Sequence, residues 1–367
     1  MVEETFAFII HPIQIKKDVA RKYPLLGKIL SEGQINFFSR FFPPVYLSEI
    51  TGIQSVATGR EAKGWFIACP FTPPTMMSLP VETVYNKIVA CGHMAEELGA
   101  KILGLGAYTS VVGDAGKTIA DRLNIPVTTG DSYTITMAVE AIVEAARVMG
   151  INMRDATVAV VGATGAIGKT CAELLAGESA RLLLVGRRMD ALEAVRERCE
   201  GKGAHVSAST EIATIYEADL ILTVTSAVHA VIEPKHLKPG AVVLDVARPR
   251  DVSKRVAAER DDVLVIEGGM VDVPGAALDF HFDFGFPPRK SYACMAETMA
   301  LALEGRYEDY TIGKDISVEQ SREIGMIAQR HGFKLSGFRS FEHEVPQHAI
   351  DQVRERAAQN RRRWAMA

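Results

Sequence analysis

The stretch RKSYACMAETMALALEG, residues 289–305, sets Cys294 just past an Arg-Lys pair and just inside a helical pattern. Pro287 and Pro288 cannot continue a helix, and Ser291 is a favoured N-cap, so the spacing predicts a helix starting at Tyr292 with Cys294 in its third position. A thiolate there gains from unpaired first-turn amides and from Arg289 and Lys290, the ingredients that lower a cysteine pKa. Lys290 also stands close enough in sequence to steady the thiolate or an oxyanion. Local physics equally allows a small buried hydrophobe at 294, and both readings stay open on the residues alone. Cys69, Cys91, Cys171 and Cys199 lack the combination of cap and basic neighbours.

A second chemical signature lies at 156–176, ATVAVVGATGAIGKTCAELLA, where Gly162, Gly165 and Gly168 fall between a predicted strand and a predicted helix. Glycine lets the backbone turn tightly and approach a pyrophosphate, while the amides opening the helix at Ala166 supply positive field. Gly162, Thr164, Gly165, Ala166, Ile167 and Gly168 therefore read as a dinucleotide loop, with Thr225 at the end of a later strand completing the cofactor set. After the next strand the chain reads VGRRMD. Arg187 and Arg188 stand where NAD sites place an acid, and their forked guanidinium groups suit a 2′-phosphate, which makes NADPH the expected cofactor. Asp190 comes slightly late for the ribose role.

These residues need a scaffold, and strand and helix patterns alternate along most of the chain. TFAFIIH (5–11) reads as a buried strand, 81–100 as an amphipathic helix, 101–110 as a strand, 116–124 as a helix, 125–130 as a strand and 132–150 as a long helix. From 156 the βαβ pattern continues through strands at 181–186, 204–209, 218–225, 240–247 and 262–269. The expected fold is α/β: an N-terminal α/β domain with connecting helix (1–150), a Rossmann-type doubly wound parallel-sheet domain (151–285), and a helical segment (286–367) carrying Cys294 and a C-terminal extension.

With 367 residues, 48% hydrophobic and 23% charged, the chain has the composition of a globular enzyme rather than a disordered segment. A net charge of −4 argues against a nucleic-acid partner. Five scattered cysteines without CxxC indicate neither a disulfide framework nor a zinc knuckle, and no metal-ligand spacing appears, so no metal is expected. The N-terminus lacks a signal-peptide pattern and no uncharged run spans a bilayer, so a cytoplasmic location is expected. His229, His236 and His281 are candidate proton donors without diagnostic neighbours. FFSRFFPPVY (37–46) holds four phenylalanines in six positions, which suits interior packing, an acyl-chain channel or a peripheral membrane contact.

The segments GLGAYTSVVGD (104–114), TTGDSYT (128–134), DATVAVVGATGAIG (155–168), EGGMV (267–271) and SYACMAETMALALEG (291–305) together resemble the aldehyde-forming long-chain acyl-[acyl-carrier-protein] reductases of cyanobacteria. That resemblance implies NADPH-dependent reduction of an acyl thioester, carried by acyl carrier protein or coenzyme A, to a fatty aldehyde. It places the acyl-enzyme on Cys294 and the NADPH loop on 162–168. Tyr108, Asp131, Ser132 and Tyr133 are then expected to line the substrate cleft. The chain departs from the family at Ala166, where the family carries an acid, and by its extension after residue 341, where the pattern predicts a charged surface helix over 344–361 with a basic end, RRRW, left to solvent rather than in contact with a membrane or carrier. VVLDVARPRDV (242–252) resembles a stretch of glutamyl-tRNA reductase, whose cysteine segment is absent here. The domain order also suggests shikimate dehydrogenases, but ACPFTPPTMM (68–77) does not supply their substrate lysine. A non-catalytic NADPH sensor is the remaining alternative.

Overall fold

The computed structural model describes residues 4–227 and 229–365. The chain forms two α/β units, one of residues 1–133, 271–316 and 320–334 and the other of 134–270, 317–319 and 335–367.

The first unit is built on a five-stranded sheet of β1 (Glu4–Ile10), β2 (Val45–Gln54), β3 (Glu61–Ala68), β4 (Leu103–Gly104) and β5 (Val127–Thr128), in the order β2-β3-β1-β4-β5. β3, β1, β4 and β5 run parallel, and β2 pairs antiparallel with β3. Successive side chains of a strand point to opposite faces. Accordingly Ala7 and Ile9 join Ile88, Cys91 and Ala95 of the helix Val81–Glu97 in one core, while Phe8 faces the other way. On that second face lies the helix Ala293–Glu304, packed on β1, β3 and β4 and buried almost all round. Gly104 permits this: a Cβ there would collide with the Thr298 hydroxyl and the Phe8 ring. Gly305, at φ 74°, ends the helix with a left-handed cap.

In the second unit β6 (Thr157–Val161), β7 (Arg181–Val185), β8 (His205–Ser209), β9 (Leu220–Thr223), β10 (Val242–Asp245) and β11 (Leu264–Glu267) form one parallel sheet in the order β11-β10-β9-β6-β7-β8. This is the doubly wound arrangement, with its order reversing between β6 and β9. TVAVV, LILT and VVLD are buried throughout, as strands covered on both faces must be.

Several boundaries differ from the sequence reading. The helix 293–304 belongs to the first unit, because its apolar surface is used up by that sheet; residues 286–367 are therefore not a separate helical segment. The strand expected over 101–110 is only Leu103–Gly104, followed by a helical turn, Tyr108–Val111. The extension forms the expected helix, Gln347–Ala365, but it is not left to solvent: it buries Ile350 and Ala357 against the second unit. Asn360 donates to Asp262 at 3.1 Å, and Arg361 donates to the carbonyl oxygens of Pro239 (3.0 Å) and Gly240 (3.2 Å). Side chains of residues 363–365 at its basic end lie outside the described ones. Among the described residues, no helix is long and apolar enough to cross a membrane.

Candidate functional site

Parallel sheets place ligands at the carboxyl ends of their strands, and in both units the chemistry-bearing residues gather there. In the second unit the loop after β6 turns at Gly162, whose φ of 83° is left-handed and whose absent Cβ would strike the Val224 carbonyl. Gly168 is equally confined, since a Cβ would run into the Gly162 carbonyl. Gly165, by contrast, faces open space apart from the Gly162 oxygen and caps the ten-residue helix Ala166–Leu175 with no side-chain bond. The first-turn amides at Ala166 and Ile167 are thus left to an incoming anion, and the cradle fits a pyrophosphate. Thr164 lies in this turn, exposed. Arg187, just past β7, is exposed with no side-chain partner among the described residues, and Arg188 stands 3.8 Å from Asp190 in a loose, solvated pair.

Thr225 is held from below. Its amide donates to Asp251 at 2.8 Å, its hydroxyl also bonds that carboxylate, and Thr223 donates to it at 2.6 Å. Asp251 is fully buried, and beside it Asp245 accepts from the amides of Ala247 (3.1 Å) and Val252 (3.0 Å). Burial pushes Asp245 up to about 6. The two acids fix the 245–252 loop behind the cofactor turn. Sequence reading passed over them, although acids within the apolar run VVLDVARPRDV were a visible signal.

In the first unit Cys294 is the one cysteine of five that is not fully buried. It occupies the second helical position rather than the third, because Lys290–Tyr292 is extended as a short strand and the helix starts at Ala293. Ser291 does not cap: Tyr292 is the N-cap residue, and its side chain makes no capping bond to the first turn. Arg289 is exposed, and the Lys290 ammonium bonds Asp272 at 2.9 Å. The thiol is pushed up to about 12, first by burial and then by the Asp131 carboxylate, with Glu297 adding to the effect; the backbone amides of Met295 and Cys294 itself pull the other way. The low-pKa thiolate anticipated from basic neighbours is therefore replaced by a neutral thiol among acids.

Those acids are arranged by the turn after β5. Gly130, at φ 76°, presses on the Cys294 backbone so closely that a Cβ would collide with its Cα, Cβ and carbonyl oxygen. This close approach brings Asp131, first residue of the helix Asp131–Met149, beside the thiol. Burial, reinforced by Glu297, raises Asp131 to about 7. Glu297 itself is wholly buried and shifted upward by burial; it accepts from the Tyr133 amide at 2.8 Å, from Thr311 at 2.7 Å, and from the Thr128 hydroxyl. The Ser132 hydroxyl lies 2.9 Å from that of Thr311 and the Tyr133 ring is buried, so these two residues build the wall behind the site. Glu297 was missed, yet an acid one turn after Cys294, in a stretch that is apolar save for Thr298 until Glu304 at the helix end, marks the same face.

Tyr108 follows β4, the neighbour of β5. Its amide donates to His11 Nε2 at 3.1 Å, and the two rings meet edge to face at 6.0 Å. Burial lowers His11 to about 4, so its imidazole is neutral near pH 7. The Tyr108 hydroxyl is buried with no hydrogen-bond partner among the described residues. Such an orphaned donor is what a substrate oxygen satisfies. Of the histidines considered from sequence, His236 accepts from the Glu233 amide in the second unit, and His281 lies near Thr51 and Asp279 on the surface.

Residues 143–267 match the family model Shikimate / quinate 5-dehydrogenase. Over 310 residues the chain is 29% identical to the long-chain acyl-[acyl-carrier-protein] reductase of Synechococcus elongatus, covering 80% of this chain and 87% of that one. It is distantly related to acyl-ACP reductases. It is also 27% identical over 358 residues to the aminotransferase PigE of a Serratia species, covering 94% of this chain but spanning only 41% of that protein. Among solved structures, L-tryptophan dehydrogenase from Nostoc punctiforme aligns at TM-score 0.40 and 13% identity, covering 98% of this chain and 89% of that one. The doubly wound sheet, the glycine cradle and the family match make the second unit an NAD(P)-binding domain of dehydrogenase type.

Proposed function

We propose that the protein reduces a long-chain acyl thioester to the aldehyde through a Cys294 acyl-enzyme, using NADPH. The observation that carries this reading is the placement of a partly exposed cysteine beside Asp131, a carboxylate raised to about 7, in a chain that also holds a nicotinamide-cofactor domain. The distant relation to a long-chain acyl-ACP reductase supports the acyl donor.

At neutral pH a thiol near 12 is ionised to only about one part in 10⁵, so attack requires a base within reach. Ionised Asp131 takes the Cys294 proton as sulfur adds to the acyl carbon, and returns it to the departing thiolate of the carrier. The Tyr108 hydroxyl donates to the thioester oxygen as negative charge collects there. The 162–168 loop would hold NADPH, which when bound would supply a hydride for the acyl carbon. Collapse of the resulting oxyanion breaks the carbon–sulfur bond and releases aldehyde, and Cys294 regains one proton from solvent through Asp131. The sum is one hydride and one proton consumed per aldehyde. Glu297 touches no reacting atom; it fixes the 128–133 turn and keeps a second acid near Asp131. Arg187 and Arg188 confer the preference for a 2′-phosphate.

The test is intact-protein mass spectrometry after mixing wild type and Cys294→Ser with a long-chain acyl-coenzyme A. Wild type is expected to gain one acyl mass that disappears on adding NADPH as aldehyde forms, while Cys294→Ser gains no reducible adduct. NADH should discharge the adduct at least about tenfold more slowly, with Arg187→Ala narrowing the difference. A folded, NADPH-binding wild type that never acquires the acyl mass would overturn the covalent route.

A further inference from the structure

Eight of the fifteen large hydrophobic side chains exposed among the described residues fall between Tyr23 and Tyr46. The segment folds as three short helices, Ile15–Lys22, Pro24–Ile29 and Glu32–Ser39. The first two are locked together at Gly27, where a Cβ would strike Ala20. The third carries a Ser31–Gln34 capping box and buries Ile35 and Ser39. Polar bonds tie it to the helix Pro73–Ser78: Thr72 donates to the Asn36 side chain, and Ser39 lies 3.4 Å from the Thr75 hydroxyl. This docking aims the other face outward. Leu25, Ile29 and Phe41 are 72%, 73% and 72% exposed, and the Phe37 ring meets Phe38 and Phe41 edge-on at 5.4 and 5.5 Å in the open.

The same stretch is basic in an acidic chain. Residues 12–44 hold six Lys and Arg against Asp18 and Glu32, a net +4 where the whole chain is −4. Lys16, Lys28 and Arg40 are exposed and have no side-chain partner among the described residues. Exposed aromatic and aliphatic side chains rimmed by unpaired cations match the boundary of an anionic bilayer, where rings lie at headgroup depth and cations meet phosphate. An acidic protein would answer the cations but leave the apolar tips uncovered.

We infer that residues 16–42 dock the first unit on an anionic lipid surface, with Leu25, Ile29, Phe37, Phe38 and Phe41 entering the headgroup–acyl boundary and Lys16, Lys28 and Arg40 meeting lipid phosphate. The inference is independent of the reaction proposed above.

The experiment is flotation of the full chain with vesicles of phosphatidylcholine containing about a third phosphatidylglycerol, without acyl donor or NADPH. The protein is expected to float with these vesicles, to stay behind with pure phosphatidylcholine, and to be released by about 0.5 M salt. Phe37→Ser/Phe41→Ser and, separately, Lys28→Glu/Arg40→Glu should each lower the bound fraction at least about tenfold at unchanged circular dichroism. No flotation of the folded wild type overturns the proposal. So does flotation that neither pair of substitutions weakens. Loss of a lipid-free dimer in Phe37→Ser/Phe41→Ser, together with no vesicle binding by wild type, would assign the face to a second copy instead. Because no turnover is read, failure here leaves the acyl-enzyme reading standing.

Discussion

A cysteine at a helix start beside basic residues suggests a ready-made thiolate, whereas Cys294 sits among carboxylates and needs its proton removed. In the proposed acylation the base is Asp131, and its raised pKa makes two consequences measurable. Acylation of wild type should rise with pH through about 7 as Asp131 ionises, and Asp131→Asn should lose that rise along with about 100-fold in rate. Stability moves the opposite way. Asp131 titrates near 3.8 when unfolded and near 7 when folded, so between those values the native chain holds a proton that the unfolded chain has released. Stability therefore falls as pH rises through that window and stays lower above it, by up to about 4 kcal/mol at ~1.36 kcal/mol per pKa unit. Melting curves should show Asp131→Asn outlasting wild type near pH 8, with the gap closing towards about pH 4. A constant gap would mean that the carboxylate is not the group under strain.

At the scale of elements, two helices decide what the sheets can do. The helix 293–304 can lie against its sheet because Gly104 has no side chain, and its first turn meets the β5 turn because Gly130 has none. The helix 347–365 covers Ile350 and Ala357 on the second unit and anchors itself on the carbonyls of Pro239 and Gly240. Ending the chain after residue 346 removes the burial of Ile350, about 2 kcal/mol, and the bonds of Asn360 and Arg361. The melting temperature of the second unit should drop by several degrees, at about 2–4 °C per kcal/mol for a domain of this size. An unchanged melting temperature would mean that this helix is left to solvent, as its charge suggests.

For the whole molecule the decisive feature is that the first unit is assembled from distant parts of the chain. A fragment of residues 1–133 contains all five strands of its sheet but lacks the 293–304 helix, which leaves the Phe8 face bare. It should give no cooperative melt by circular dichroism, whereas 134–270, with all six strands of its sheet contiguous, should melt cooperatively; a sharp transition for 1–133 would contradict this. The second unit was largely legible beforehand, because its order is local. TVAVV, the glycine turn, the following helix and RLLLV are neighbours in sequence, and continuous apolar runs announce strands buried on both faces. The sequence by itself thus determined the doubly wound domain, its glycine cradle and the cysteine worth attention. Only the tertiary structure decided the company that cysteine keeps. Asp131, Glu297, Thr128 and Thr311 come together around it through close packing permitted by Gly104 and Gly130 across more than 160 residues of chain. Burial and electrostatic neighbours arise from such distant contacts, and it is they, rather than the local Arg-Lys pair, that set the proton affinity of the thiol.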